Sequence, residues 1–181
     1  MKTLKEKTNQ NIQDLPIIIQ MLKNAFCEEI LAYYQYIILA NFVQNTVGDN
    51  KLYTDIVNDF KENAKDELED HAFWLLNRLK ELGTDWVGIE NPSLLDQIAM
   101  HKYVMPTDTN LDVCVCQIAE AERGAIATYS HLIEYTEHRD AVTYKKMKAI
   151  LKDEETHLKE MEDFIQKIND IWNKENNETI K

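Results

Sequence analysis

The sequence predicts an all-α protein, one antiparallel bundle of four long helices with a single long crossover. Three observations carry this. Glycine and proline together number seven in 181 residues, too few for the turns of a sandwich or barrel. The stretches between them are long and rich in Ala, Leu, Glu, Lys and Gln. Within those stretches apolar residues recur at alternating steps of three and four, the period of a helix that buries one face. The length suits a single domain.

The breakers place the elements. Asp14-Leu15-Pro16 reads as a helix start, with Asp14 as cap and proline at an early helical position. Helix A then runs near 16–45, to the turn around Gly48. Helix B spans roughly 51–82 and stops at Gly83, placed as a C′ glycine. Gly88, Pro92 and Pro106 crowd the connection over 83–107, where residues 93–100 (Ser93 to Met100) have the pattern of a short helix. Helix C occupies 109–136, and a polar turn at 137–140 leads to helix D over 140–173. Short A–B and C–D turns make hairpins, and the long B–C connection can cross the bundle's length. The bundle is thus expected over 14–173, with flexible tails at 1–13 and 174–181.

Composition excludes several classes. Asp and Glu number 32 against 20 Lys and Arg, a formal charge of -12, which argues against a nucleic-acid binder. The lysines at 2, 5 and 7 are a weak basic arm on an acidic protein. Three cysteines make no disulfide framework, and the chain opens without a secretory leader. No apolar run reaches about 18 residues, so no membrane span is expected. The reading is a soluble, cytoplasmic protein.

The apolar stripes then show a common flaw. Helix A gives Ile18, Leu22, Ala25, Glu29, Ala32, Tyr36, Leu39, Val43. Helix B gives Ile56, Phe60, Ala64, Glu67, His71, Leu75, Leu79, Leu82. Helix C gives Leu111, Val115, Ile118, Glu122, Ala125, Tyr129, Leu132, Thr136. Helix D gives Met147, Leu151, Glu154, Leu158, Met161, Ile165, Ile168, Trp172. Each carries a glutamate near its middle, and His71 and His157 lie on the same faces, four and three residues after Glu67 and Glu154. One such glutamate is ordinarily a boundary residue, and one such histidine a hydrogen-bonded core residue. Four buried carboxylates together would repel one another and be costly to desolvate. A pair of divalent cations removes both objections, and mixed Glu and His donors suit iron, or manganese as the alternative. One Glu from each of two helices, with Glu plus His from each of the other two, is the donor set of di-iron carboxylate bundles.

An internal echo supports the pairing. Tyr36 follows Glu29 by seven residues, as Tyr129 follows Glu122, so the hairpins should be related by an approximate two-fold axis. The tyrosines are read as core residues that hydrogen-bond the ligand carboxylates or donate electrons. Asp70 and Asp153 stand near enough to orient the histidines. His101, His131 and His138 lie off the stripes. Cys114 and Cys116 point apart on one helix, Cys27 lies off its stripe, and all three read as structural. Gly124 should allow close packing, or space near the site.

The segments Ala119-Glu120-Ala121-Glu122-Arg123-Gly124-Ala125, Ile150-Leu151-Lys152-Asp153-Glu154-Glu155-Thr156-His157 and Glu29-Ile30-Leu31-Ala32-Tyr33-Tyr34-Gln35-Tyr36 resemble bacterioferritins and their Dps-like relatives, the thioferritins, over about residues 14–172. The fold implied is the ferritin-like antiparallel four-helix bundle. Bacterioferritin's second helix carries Glu-x-x-His, whereas Glu67 and His71 are separated by three residues, closer to the thioferritin spacing. Leu68 stands where the bacterioferritin haem-ligating methionine would be, so no haem is expected. The thioferritin cysteine pair would fall at Gly124 and Ile133 and is missing.

The resemblance implies a ferroxidase that stores and detoxifies iron, oxidising Fe(II) with hydrogen peroxide or dioxygen. Two iron ions would be bridged by Glu67 and Glu154, capped by Glu29 and Glu122, and completed by His71 and His157. It also implies a homo-oligomeric shell, a dodecamer by the short helix in the B–C connection, a 24-mer otherwise. The alternative keeps the metal pair in a smaller oligomer, a rubrerythrin-like peroxidase or other di-iron or di-manganese oxidoreductase. The paired C-x-x-C motifs of a rubredoxin module are absent. A metal-free helical scaffold is the third reading.

Overall fold

The computed structural model describes residues 4–46, 51–84 and 110–178, with side chains over 14–43, 51–84 and 110–174. Helix α1 spans Leu4–Thr46. The second rod has three parts: α2 (Lys51–Lys65), a π-helix (Asp66–Ala72) and α3 (Phe73–Glu81). Helix α4 spans Leu111–Thr136 and α5 spans Ala141–Glu178. Among the described residues there is no strand, and the architecture is the expected four-rod bundle. No helix among them is long and apolar enough to cross a membrane. The expected short helix at 93–100, with His101, lies outside the described residues.

Two apolar clusters fill the bundle, one toward each end. The first joins Leu39 and Val43 of α1, Ile56 and Phe60 of α2, Val115 and Ile118 of α4, and Met161 and Phe164 of α5. The second joins Ile18 and Leu22 of α1, Leu75 and Leu79 of α3, Leu132 of α4, and Met147 and Ile150 of α5. The end of α1, the start of α2, the start of α4 and the late part of α5 therefore share one end. Both hairpins are antiparallel, whereas the second rod and α4 run parallel. The chain between Thr84 and Asn110 joins opposite ends of the bundle. A fully buried Leu or Phe contributes about 1.5–3 kcal/mol, so these two clusters supply the main drive for closing the four rods.

Several boundaries follow the expected chemistry. Gly83 has φ 81°, and its N–H reaches Lys80 O at 3.0 Å while Thr84 N–H reaches Leu79 O at 3.2 Å, the Schellman pattern that ends a helix on glycine. Asp140 starts α5: its Oδ1 accepts from the N–H groups of Val142 and Thr143 at 3.1 and 3.2 Å. Arg78 of α3 donates to both Asp140 oxygens at 2.9 Å and to Thr143 Oγ1 at 3.1 Å. That clamp ties the end of the second rod to the α4–α5 turn.

Three expectations need correction. Helix α1 does not begin at Asp14; it starts at Leu4 and carries Pro16 inside it. Asp14 has a tertiary task instead, accepting from Tyr135 Oη at 3.2 Å and pairing with Arg139 at 3.3 Å. The buried row of α5 is Met147, Ile150, Glu154, His157, Met161 and Phe164, while Leu151, Leu158, Ile165 and Ile168 flank it half-buried and Trp172 is exposed. Two rows of one broad apolar face are hard to rank from spacing alone. Finally, of the two roles expected for Gly124, close packing fails: an added Cβ there would meet no atom within 4 Å.

Candidate metal centre

Between the two apolar clusters lies one polar layer. Glu29, Glu67, His71, Glu122, Glu154 and His157 are each no more than 3% exposed. They form two groups whose donor atoms lie within 4.8 Å of one another: Glu29, Glu67, His71 and Glu154 in one, and Glu67, Glu122, Glu154 and His157 in the other. All six residues singled out from the stripes meet here, and Glu67 and Glu154 belong to both groups.

The histidines present Nδ1 to the carboxylates. His71 Nδ1 is 3.0 Å from Glu67 and 3.3 Å from both Glu29 and Glu154. His157 Nδ1 is 3.3 Å from Glu67 and 3.5 Å from Glu154. On the far side of each ring stands an aspartate, Asp153 at 3.6 Å from His71 Nε2 and Asp66 at 3.8 Å from His157 Nε2. Asp153 is thus near a histidine as expected, while Asp66 rather than the exposed Asp70 serves the other. An acid behind the ring fixes which nitrogen faces the carboxylates.

The π-helix explains the unequal Glu–His spacing. It covers Asp66–Ala72 and so holds both Glu67 and His71. Its wider i→i+5 turn absorbs one extra residue. His71, four residues on, therefore occupies the place on the second rod that His157, three residues after Glu154, takes on α5. Leu75 and Leu79 beyond it keep their core register.

The tyrosines cross over between hairpins. Tyr36 of α1 donates to Glu122 of α4, and Tyr129 of α4 donates to Glu29 of α1. This is the expected two-fold echo, realised as two reciprocal hydrogen bonds. Asn63, which sequence patterning missed, breaks the symmetry: its amide reaches Tyr36 Oη at 3.4 Å and Glu160 at 3.2 Å. The equivalent place on α5, four residues before its glutamate, is Ile150. Only a buried asparagine at the edge of the stripe could have signalled it.

Burial, then the charges of Glu67 and Glu154, pushes Glu29 well above the usual carboxylate range, and the same causes raise Glu122. Burial also works to raise Glu67, but the imidazoles of His157 and His71 outweigh it and hold it low. Burial disfavours a charged His157, yet Glu154 and Glu67 push it up to about 11; His71 is raised for the same reason by Glu154, Glu29 and Glu67. The layer therefore carries strong negative potential that rewards any cation.

Glu67 Oε1, both Glu154 oxygens, His71 Nε2 and His157 Nδ1 are buried without a hydrogen-bond partner. Buried acceptors are seldom left so, and a pair of divalent cations would satisfy the inward-facing ones. The donor set, four carboxylates and two imidazoles, fits hard to borderline metals such as Fe(II) or Mn(II). The cysteines stay out of it: Cys27 and Cys114 are buried in the apolar clusters and Cys116 is exposed. Burial, with Glu28 beside it, pushes the Cys27 thiol up to about 11. His131 and His138 are exposed.

A cavity of about 350 Å³ opens between α1 and α4 and ends on Glu29, Glu67, Glu122 and Glu154. Gly124 is in its wall, so the glycine contributes space near the site rather than close packing.

A buried layer of four glutamates and two histidines inside an antiparallel four-helix bundle defines a helical protein with a candidate carboxylate–histidine metal site. The chain belongs to the ferritin-like domain family, whose pattern matches residues 19–171. It is similar to the dodecameric thioferritin, a bacterioferritin-related protein, of Bacteroides fragilis, with 29% identity over 88% of this chain and 90% of that one and a TM-score of 0.76. It is 26% identical, over 86% of this chain and 79% of the relative, to the DNA protection during starvation protein of Pyrococcus furiosus. The bacterioferritin of Desulfovibrio desulfuricans shares the fold, at 23% identity over 88% of this chain and 84% of that one, with a TM-score of 0.68.

Proposed function

We propose that this protein is a ferroxidase that stores and detoxifies iron, its working unit the bundle of residues 14–173. One observation carries the reading: two four-donor groups share Glu67 and Glu154, and Glu67 Oε1 and both Glu154 oxygens are buried without a hydrogen bond. Two Fe(II) ions enter as substrate. Glu67 and Glu154 would be shared by the two ions, Glu29 and His71 would hold one of them, and Glu122 and His157 would hold the other. Four carboxylates around two dications favour the trication, so the site pulls iron toward Fe(III). Hydrogen peroxide or dioxygen takes the electrons. Tyr36 and Tyr129 hold the end carboxylates in place while the charge changes.

The likeness to a dodecameric thioferritin and to a protein named for DNA protection during starvation supports storage in a twelve-chain shell, which we place in the cytoplasm. The test is Fe(II) oxidation after rapid mixing with peroxide or oxygen. Glu67→Ala with Glu154→Ala should abolish the fast phase while the chain still folds, as circular dichroism would report. Oxidation at the wild-type rate in that double variant refutes the assignment.

A further inference from the structure

We propose that the cavity between α1 and α4 lets the same site reduce organic hydroperoxides as well as hydrogen peroxide, and that Gly124 sets this breadth. The inference rests on the ferroxidase reading and extends its oxidant to a new class. The cavity's volume of about 350 Å³ lies in the range of roughly 300–1,000 Å³ that holds small organic ligands. Hydrogen peroxide or a metal ion needs far less, since a water molecule's share of liquid volume is about 30 Å³. The walls carry alkyl groups from Leu31 and Ala32 on α1 and Ala121 and Ala125 on α4, with Glu28, Gln35 and Thr128 beside them. The far end is the glutamate layer, where Glu154, 1% exposed, lines the cavity; its two oxygens face the histidines at 3.3 and 3.5 Å and accept no hydrogen bond. Alkyl patches on the approach to a carboxylate floor match a molecule with an alkyl body and a peroxide head.

Gly124 makes the room by breaking the internal symmetry. Two residues beyond Glu29 stands Leu31, and two beyond Glu122 stands Gly124. Ala32 and Ala125 are paired in the same way, one residue further on. A leucine at 124 would mirror Leu31 and fill the space that the glycine leaves. In an α-helix glycine costs about 1 kcal/mol relative to alanine, yet its added Cβ would touch nothing within 4 Å, so local packing does not require it.

In the reaction the O–O bond breaks and each of two Fe(II) ions gives one electron. The alkoxy fragment takes one proton to become an alcohol and the hydroxy fragment takes another to become water. Both protons come from solvent, and two Fe(III) ions result. Paired electron delivery matters, because a lone Fe(II) would leave an alkoxyl radical.

Cumene hydroperoxide is a suitable probe, since two-electron reduction yields cumyl alcohol whereas one-electron cleavage yields acetophenone. With Fe(II)-loaded wild-type protein we expect cumyl alcohol as the main product. Gly124→Leu should slow that reaction by about tenfold or more and leave oxidation by hydrogen peroxide unchanged; Gly124→Ala should leave both intact. Metal-free wild-type protein should also bind cumyl alcohol, as ligand-observed NMR would detect, and Gly124→Leu should abolish the binding. Acetophenone as the main product, equal slowing of both oxidants by leucine, or alcohol binding indifferent to position 124 would each overturn the inference. If hydrogen peroxide also fails to oxidise Fe(II) in the wild type, it is the ferroxidase reading that falls.

Discussion

Tyr36 and Tyr129 each donate a hydrogen bond to a terminal glutamate from the opposite hairpin. Their phenols are held protonated, raised first by burial and then chiefly by Glu122 and Glu29 respectively. Each phenol therefore orients a different half of the layer. Removing such a partner typically weakens metal binding by about 10–100-fold. Tyr36→Phe should weaken the half built on Glu122 and His157, and Tyr129→Phe the half built on Glu29 and His71. A Co(II) titration followed by visible absorbance would resolve the two halves; equal weakening of both by either variant contradicts the pairing. At this scale the sequence was legible wherever a polar residue interrupted an apolar stripe, as with Glu29 or His71. It was silent on Asn63 and Asp66, whose roles depend on what the neighbouring rods present.

Helix-level behaviour turns on the π-helix and on the Arg78–Asp140 clamp. The π turn stores one extra residue between Glu67 and His71. Deleting the exposed Glu69 should convert it to α-helix, keep Leu75 and Leu79 in register, and preserve both metal binding and thermal stability. Deleting Glu155 from the regular α5 should instead rotate everything beyond it by about 100° and unfold the bundle. Melting curves and metal stoichiometry of the two deletions check this. Burial raises Asp140, but bonds from Thr143 and Arg78 outweigh it and lower its pKa. A lowered carboxylate contributes stability above its unfolded pKa of about 3.9 and loses it as pH falls through the folded value. Asp140→Asn should therefore be destabilised relative to wild type at pH 7, and the gap should close on acidification below about 3.9, measured as urea midpoints. The Gly83 stop was readable because glycine alone suits φ 81°. The true start of α1 was not, because Asp14 and Pro16 form a start signal that the fold uses otherwise.

Across the whole bundle the polar layer is a liability until cations reach it. Loading with Fe(II), or with Mn(II) or Zn(II) as redox-quiet substitutes, should bind two ions per chain. At a free metal concentration about 100 times the dissociation constant, linkage stabilises by about 2.7 kcal/mol, which for a chain of this size raises the melting temperature by roughly 5–10 °C. Chelation should reverse the shift, and an unchanged melting point would contradict cation binding in the layer. Assembly is a separate matter: twelve copies of a 21.2 kDa chain predict a particle of about 250 kDa by native mass spectrometry. A dimer would favour a smaller redox enzyme over a storage shell.

Local patterning by itself determined the four rods, their antiparallel pairing and the six residues of the layer, because helical periodicity and the cost of burying charge act along a single chain. Only the tertiary structure decided which tyrosine serves which glutamate, that Asn63 and Asp66 join the layer, and that Gly124 opens a cavity. Those outcomes depend on distances between rods, and no spacing within one helix encodes how far its neighbour stands.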